Sequence, residues 1–163
     1  MSRHYNVLFL CTRNSARSLM AEAILNHRGK GAFTAFSAGS HPTGSPRPEA
    51  LQQIASAGVP VAGLRSKSWD EFAAADAPKM DFVFTVCDNA AKEQCPFWPG
   101  QPLTAHWGVP DPAAAKGTPE EIARAFRDAF VILDRRIALF LALPLASLQA
   151  LAIQREIDRI GRS

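Results

Sequence analysis

The chain has 163 residues, of which 47% are hydrophobic, and 18 basic against 15 acidic residues give a formal net charge of +3. That length fits one compact domain, 1–163, and so small a charge gives no support to a nucleic-acid-binding protein. No apolar run approaches the roughly 20 residues of a membrane-spanning helix, and the first residues lack a signal-peptide cleavage pattern, so we expect a cytoplasmic protein with no membrane partner.

The first half of the chain alternates apolar runs with helical patterns. Gly29 and Gly58 each stand just after a helical pattern, where glycine commonly ends a helix. The expected strands are Val7–Leu10 and Phe33–Ser37, and the expected helices are Ser18–His27 and a proline-initiated segment within 44–58.

The second half begins with another helix signal, Ser68 followed three residues later by Glu71 in "SKSWDEFAAA". Thr118 and Glu121 form the same capping pattern around Pro119, which suits the first position of a helix. The remaining expected elements are strands over 81–87 and 104–107, a long helix over 118–141, and a final helix from after Pro144 to about Ile160.

Strands that alternate with helices indicate an α/β fold with a mostly parallel sheet. Ligands of such folds bind at the carboxyl ends of the strands. Cys11 and Cys87 both fall at such an end, and Cys95 lies in a proline-rich loop shortly after. Cysteines of cytoplasmic proteins are more often catalytic or redox-active than structural, so we expect these three to carry chemistry.

The segment "CTRNSARS" joins the first strand to the first helix. Its N–H groups are expected to cradle a phosphate-sized oxyanion at the helix N-terminus, and Arg17 adds a planar fork for two more oxygens. Cys11 lies at the base of this cradle as the expected nucleophile, with a pKa lowered by the surrounding donors. Ser18 is expected to donate to the thiolate, and Asn14 to hold the loop's own backbone. The expected oxyanion-binding residues are Thr12, Arg13, Asn14, Ser15, Ala16, Arg17 and Ser18.

Positive charge is concentrated ahead of residue 48, where Glu22 is the single acidic residue. That excess would attract a small anion, although on charge alone a solvated basic face is the preferred explanation. The basic residues of this part are Arg3, Arg13, Arg17, Arg28, Lys30 and Arg47.

"CTRNSARS" followed by "MAEA" resembles the low-molecular-weight protein tyrosine phosphatase fold, and within it the thioredoxin-coupled arsenate reductases. The segments "FSAGS", "LRSKSWDEF", "DFVFTVCDNAAKEQCPFWPG" and "HWGVPDPA" extend the resemblance, in order, over most of the chain. It implies a three-layer α/β sandwich with a four-stranded parallel sheet flanked by helices. It also places the general acid at Asp111, between two prolines that stiffen its loop. Taken alone, that aspartate reads as a turn residue.

Resemblance to the arsenate reductases implies a relay of three thiols. Cys11 would attack arsenate, and Cys87 would then attack Cys11 and release arsenite. Cys95 would attack Cys87 and carry the disulfide outward to thioredoxin. The resemblance implies no cofactor, and phosphate or sulfate would mimic the substrate.

Other functions stay open at this point. A phosphatase acting on phosphotyrosine or aryl phosphates would use Cys11, Arg17 and Asp111 without a second thiol. Phosphatases of this fold often carry tyrosines after the acidic Asp-Pro, and "DPAAAKG" has none. A non-catalytic oxyanion sensor would need the cradle but no acid. The sequence also leaves open the oligomeric state and whether thioredoxin, a glutaredoxin or another thiol is the electron donor.

Some members of the resembled family hold a potassium ion with an asparagine, a glutamate, a serine and an aspartate. Asn14, Glu22 and Ser37 match the first three, and Lys67 stands at the aspartate. We therefore expect no metal here and hypothesise that the Lys67 ammonium replaces the ion.

Overall fold

A computed structural model describes residues 4–87, 98 and 101–163, referred to below as the described residues. Within them, all pairings of the sheet are parallel and the strand order is β2-β1-β3-β4. The strands are β1 Tyr5–Leu10, β2 Phe33–Ala38, β3 Phe82–Thr85 and β4 Leu103–His106. Because all four run the same way, their carboxyl ends meet at one edge of the sheet, as the alternation of strands and helices predicted.

Helices cover the sheet, and their order along the chain is the one the sequence predicted. The helices are α1 Arg17–Arg28, α2 Pro48–Ser56, α3 Asp70–Ala73, α4 Pro119–Leu141 and α5 Ala150–Gly161. Two short 3-10 turns, Pro112–Ala114 and Leu145–Ser147, precede α4 and α5. The predicted α/β fold with a four-stranded parallel sheet is confirmed.

Strand β1 contributes apolar side chains to both faces of the sheet, because successive side chains of a strand point to opposite sides. Val7 and Phe9 join the larger apolar cluster together with α1, α4 and α5. Leu8 and Leu10 join a smaller cluster on the other face, which Phe72 of α3 covers. Each of these four side chains of β1 is at most 1% exposed. The central strand is thereby fixed from both sides, which makes its carboxyl end a rigid platform.

Helix α4 begins and packs as its sequence predicted. Thr118 and Glu121 form the reciprocal capping box, and Pro119 occupies the first turn. The helix has an apolar stripe that is buried on the sheet, with Phe140 edge-on to Phe84 at 5.4 Å between ring centroids. The buried members of the stripe are Phe126, Ala129, Phe130, Leu133, Ile137 and Phe140.

One helix signal was misread. The segment 66–75 forms only the short helix α3, whose N-cap is Trp69, so the predicted cap at Ser68 is wrong. The Ser68 hydroxyl accepts the N–H of Asp70, but Glu71 does not close a capping box. It pairs instead with Arg65 at 2.7 Å. The Glu71 carboxylate therefore pairs with Arg65, six residues upstream, and not with the backbone N–H that the capping pattern predicted.

Other predicted elements differ only at their ends. The strand expected over 81–87 stops at Thr85, which leaves Cys87 two residues beyond it. Among the described residues, no helix combines the length and the apolarity that crossing a membrane requires.

Candidate active site

The carboxyl edge of the sheet brings together the side chains that the sequence singled out. Cys11 directly follows β1 and is 5% exposed, and Cys87 follows β3 and is 3% exposed. Arg17 opens helix α1, and Asp111 follows β4 on the next loop. Cys95, the third expected thiol, lies outside the described residues.

The loop between Cys11 and Arg17 turns its carbonyl groups outward. His41 N–H donates to the Thr12 carbonyl at 2.8 Å, Thr43 N–H to Arg13 at 3.1 Å, and Arg47 N–H to Ser15 at 2.9 Å. In a trans peptide the N–H points opposite to the C=O. The N–H groups that follow these carbonyls therefore face the inside of the loop, an arrangement of backbone donors that would suit the predicted oxyanion cradle.

Asn14 holds the loop in its bent form. Its φ of 46° lies in the left-handed region, which asparagine tolerates better than most residues. Its amide donates to Ser18 at 2.7 Å and to Ser37 at 3.0 Å, and its oxygen accepts the Lys67 N–H at 2.9 Å. Asn14 therefore ties the loop to β2 and to the segment before α3, whereas we expected it to hold the loop's own backbone.

Gly39 lies directly beneath the loop, a role that sequence reasoning missed. A Cβ at this position would meet the carbonyl oxygens of Thr12 and Cys11, the latter at 2.5 Å. Those are backbone atoms that cannot swing away. Glycine is therefore required here by close packing, although "FSAGS" had been used only as a family signature.

The two buried thiols lie in contact, and no disulfide joins them. A side-chain hydrogen bond with Cys87 is the largest influence on Cys11 and raises its pKa; burial raises the pKa further. The Arg17 charge and a hydrogen bond from the Arg13 backbone lower the pKa, but they are outweighed. The expectation that the cradle lowers the pKa of Cys11 is therefore wrong for this arrangement, because the neighbouring Cys87 thiol and burial outweigh the Arg17 charge.

The Cys87 sulfur also contacts the loop between Cys11 and Arg17. The Thr12 N–H donates to it at 3.4 Å, and the Thr12 hydroxyl lies 3.7 Å away. An N–H aimed at a sulfur stabilises negative charge there. This contact could not be read from the sequence, since 75 residues separate the partners.

Arg17 and Asp111 face each other across the mouth of the cradle. The guanidinium donates to the Val109 carbonyl at 2.9 Å and lies 3.6 Å from the Asp111 carboxylate. Asp111 caps the 3-10 turn by accepting the Ala113 N–H at 3.0 Å. Its side chain is 45% exposed, compared with 15% for Arg17. The Arg17 guanidinium, held by the Val109 carbonyl, is suitably placed to bind an oxyanion. The more exposed Asp111 carboxyl is suitably placed to protonate a departing oxygen.

Lys67 occupies the position where the family resemblance suggested a cation. Its ammonium lies 3.6 Å from the Glu22 carboxylate, 3.4 Å from the Ser37 hydroxyl and 2.7 Å from the Arg65 carbonyl. Ser37 in turn donates to Glu22 at 2.5 Å. Burial raises the pKa of Glu22 and lowers that of Lys67, while each charge opposes the shift of the other. These residues do not fit a potassium ion, because an ammonium already meets the same oxygens.

A cleft of about 590 Å³ opens beside the loop. Arg13, Ser15 and Asp111 line it together with the segment 43–49. None of its described lining residues is aromatic. Among the described residues, no group of three or more histidine, cysteine or acidic side chains is placed to hold a metal ion.

Comparison with known proteins places this geometry in context. Residues 6–151 match the family model for low molecular weight phosphotyrosine protein phosphatases. The arsenate reductase of Shouchella clausii is 36% identical over 115 residues, covering 71% of this chain and 79% of that protein. The arsenate reductase of Halalkalibacterium halodurans is 34% identical over 134 residues, covering 82% and 93%. A solved structure described as an arsenate reductase in the phosphate binding state has a TM-score of 0.70 and 26% identity, covering 85% and 97%.

Proposed function

The chain belongs to the low-molecular-weight phosphotyrosine protein phosphatase family, and we propose that within it this protein is an enzyme that reduces arsenate to arsenite. The observation that carries the proposal is the placement of two buried thiols, Cys11 and Cys87, at the same edge of the sheet, with the N–H of Thr12, the residue after Cys11, 3.4 Å from the Cys87 sulfur. Hydrolysis of a phosphate ester needs one nucleophilic thiol and a water molecule. Reduction of As(V) needs two electrons, which two adjacent thiols supply when they form a disulfide.

In the first step arsenate enters the cradle, with its oxygens against the inward N–H groups and Arg17. The thiol proton of Cys11 passes to an arsenate oxygen, and the sulfur attacks arsenic. A sulfur–arsenic bond forms and one arsenate oxygen leaves as water. We assign the proton on that leaving oxygen to Asp111, whose carboxyl lies at the rim beside Arg17. Arsenic is still As(V) after this step.

In the second step Cys87 gives up its thiol proton, which ends on an oxygen of the departing arsenite, and its sulfur attacks the Cys11 sulfur. A disulfide forms, the sulfur–arsenic bond breaks, and its electron pair stays on arsenic, which leaves as arsenite, As(III). The two electrons that reduce As(V) to As(III) come from the two thiols, which are oxidised to the disulfide. The Thr12 N–H at 3.4 Å from the Cys87 sulfur supports this role, because it stabilises the attacking thiolate.

We further propose that Cys95 attacks the Cys11–Cys87 disulfide at Cys87 and releases Cys11 as a thiolate. A dithiol protein of the thioredoxin class would then reduce the Cys87–Cys95 disulfide. The cycle requires three reduced thiols at its start, which fits the reducing conditions of the cytoplasm.

Phosphatase activity is the second candidate, since Cys11, Arg17 and Asp111 suit either oxyanion. The cleft beside the loop favours the smaller substrate: its described lining mixes polar residues, Arg13 among them, with prolines and alanines, and it has no aromatic wall against which a phenyl ring would stack. We expect hydrolysis of aryl phosphates to persist as a weak side activity.

The proposal is tested by replacing the second thiol. Cys87→Ser should abolish catalytic arsenate reduction, measured as arsenite formed with thioredoxin, thioredoxin reductase and NADPH. The same variant should still hydrolyse an aryl phosphate, which serves as the internal control for an intact cradle. Catalytic reduction by Cys87→Ser would refute the relay. Substituting glutaredoxin with glutathione for thioredoxin in the wild-type assay identifies the donor.

A further inference from the structure

Helix α4 carries a buried arginine that the relay does not use. Arg136 is 7% exposed. Its guanidinium donates to the Gly108 carbonyl at 2.9 Å and to the Ser163 carbonyl at 3.3 Å, while its Nε is buried without a partner. Burial and the neighbouring Arg135 lower its pKa.

Gly108 lies in the short segment that connects β4 to Asp111, called the acid segment below. From the end of β4 to Asp111 the chain runs through Trp107, Gly108, Val109 and Pro110. Arg136 fixes the Gly108 carbonyl, and Arg17 fixes the Val109 carbonyl at 2.9 Å. Two guanidinium groups from different helices therefore hold consecutive carbonyls of the acid segment.

The same segment is anchored from the side of α5 and the sheet. The Trp107 indole N–H donates to the Ile157 carbonyl at 3.0 Å. The Trp107 and Val109 N–H groups donate to the carbonyls of Thr85 at 2.7 Å and Val86 at 3.0 Å. The Gly108–Val109 peptide is therefore held on both sides, its N–H by the Val86 carbonyl and its carbonyl by Arg136. Arg136 thus helps to fix the peptide that leads to Asp111.

We propose that Arg136 is a positioning residue for Asp111: it acts on the chemistry by holding the Gly108 carbonyl, and it does not touch the substrate. The inference rests on the proposed role of Asp111 as the acid. That role is shared by arsenate reduction and aryl phosphate hydrolysis, so the inference can be tested separately from the choice between the two reactions.

The test uses two aryl phosphates that differ in their need for an acid. Phenolate is a poor leaving group, and 2,4-dinitrophenolate leaves with little help from a proton. Arg136→Met should lower kcat/KM for phenyl phosphate roughly 10- to 100-fold, a part of the 10²–10⁴-fold that general acids contribute. For 2,4-dinitrophenyl phosphate the loss should stay within about threefold. Arg136→Lys should restore part of the loss, and the exposed neighbour Arg135→Met should behave as wild type.

A double-mutant cycle with Asp111→Asn then separates positioning from general structural damage. Once the acid is removed, Arg136→Met should change kcat/KM for phenyl phosphate by less than about twofold. An equal loss on both esters, or the same loss with and without Asp111, would overturn the inference and leave Arg136 as a structural residue. If Arg136→Met does not fold, the same cycle with Arg136→Lys decides the matter.

The outcome also distinguishes the two proposals. Wild-type protein that hydrolyses aryl phosphates without reducing arsenate would refute the proposed function while the cycle still decides the role of Arg136. Wild-type protein that is intact but turns over neither substrate would overturn both, because Asp111 would then have no acid role.

Discussion

Replacing Lys67 tests whether its ammonium stands in for a bound cation. In the structure, the ammonium and the Glu22 carboxylate are 3.6 Å apart, and their side chains are only 6% and 13% exposed. At an effective dielectric constant near 20, that separation corresponds to about 4–5 kcal/mol of attraction before desolvation is subtracted. Lys67→Met removes this attraction and leaves Glu22 as a buried, uncompensated charge.

Removing one partner of a buried pair typically costs about 3–5 kcal/mol. For a chain of this length, 3 kcal/mol corresponds to a fall in Tm of roughly 6–12 °C. The double variant Glu22→Gln with Lys67→Met should recover most of that loss, because replacing both members of a buried pair is often nearly neutral. The exposed Lys30→Met is the matched control and should shift Tm by less than about 2 °C. Chemical denaturation of wild type, Lys67→Met, the single variant Glu22→Gln and the double variant gives the coupling energy.

The ion dependence follows from the same geometry. Wild-type Tm and arsenate reduction should be equal in sodium and potassium chloride at the same ionic strength, since the ammonium already meets Glu22 and Ser37. A coupling energy below about 0.5 kcal/mol, or a clear rise of Tm or activity in potassium, would refute the reasoning.

Three further predictions concern the cradle and its thiols. Gly39→Ala should weaken binding of phosphate, measured by calorimetry, at least about tenfold, because the new Cβ meets the Cys11 carbonyl oxygen; an unchanged Kd would contradict the packing argument. Asp111→Asn should lower kcat/KM for phenyl phosphate about 100-fold and leave the Kd of phosphate within a few-fold; an unchanged rate would remove the acid role. Cys87→Ala should lower the pKa of Cys11, since the hydrogen bond that raises it most is lost. Alkylation of Cys11 by iodoacetamide accelerates as pH rises through that pKa, so the acceleration should set in at lower pH than in wild type; no shift would contradict the influence of Cys87 on Cys11.

Sequence reasoning succeeded where the signal is local. The capping box of Thr118 and Glu121 is complete within four residues, and it is present in the structure. The strand–loop–helix context of "CTRNSARS" likewise predicted where Cys11 and Arg17 would lie. A pattern of this kind needs no information about distant parts of the chain.

It failed where a distant partner decides the outcome. The pKa of Cys11 rises because of Cys87, which is 76 positions away along the chain. Glu71 was expected to cap a helix and pairs with Arg65 instead. Arg136 and Gly108 are 28 residues apart along the chain, and no short sequence motif predicts their contact. In each case the pattern named residue types suited to the chemistry, and only the packing determined which partner each would meet.

The central claim is tested most directly by a single turnover. The fully reduced wild-type protein is mixed with arsenate in the absence of any external thiol, quenched, and analysed by mass spectrometry for disulfides. The account predicts a Cys87–Cys95 disulfide formed together with about one arsenite per chain. No disulfide and no arsenite, from a sample that hydrolyses an aryl phosphate, would contradict the account and identify the protein as a phosphatase.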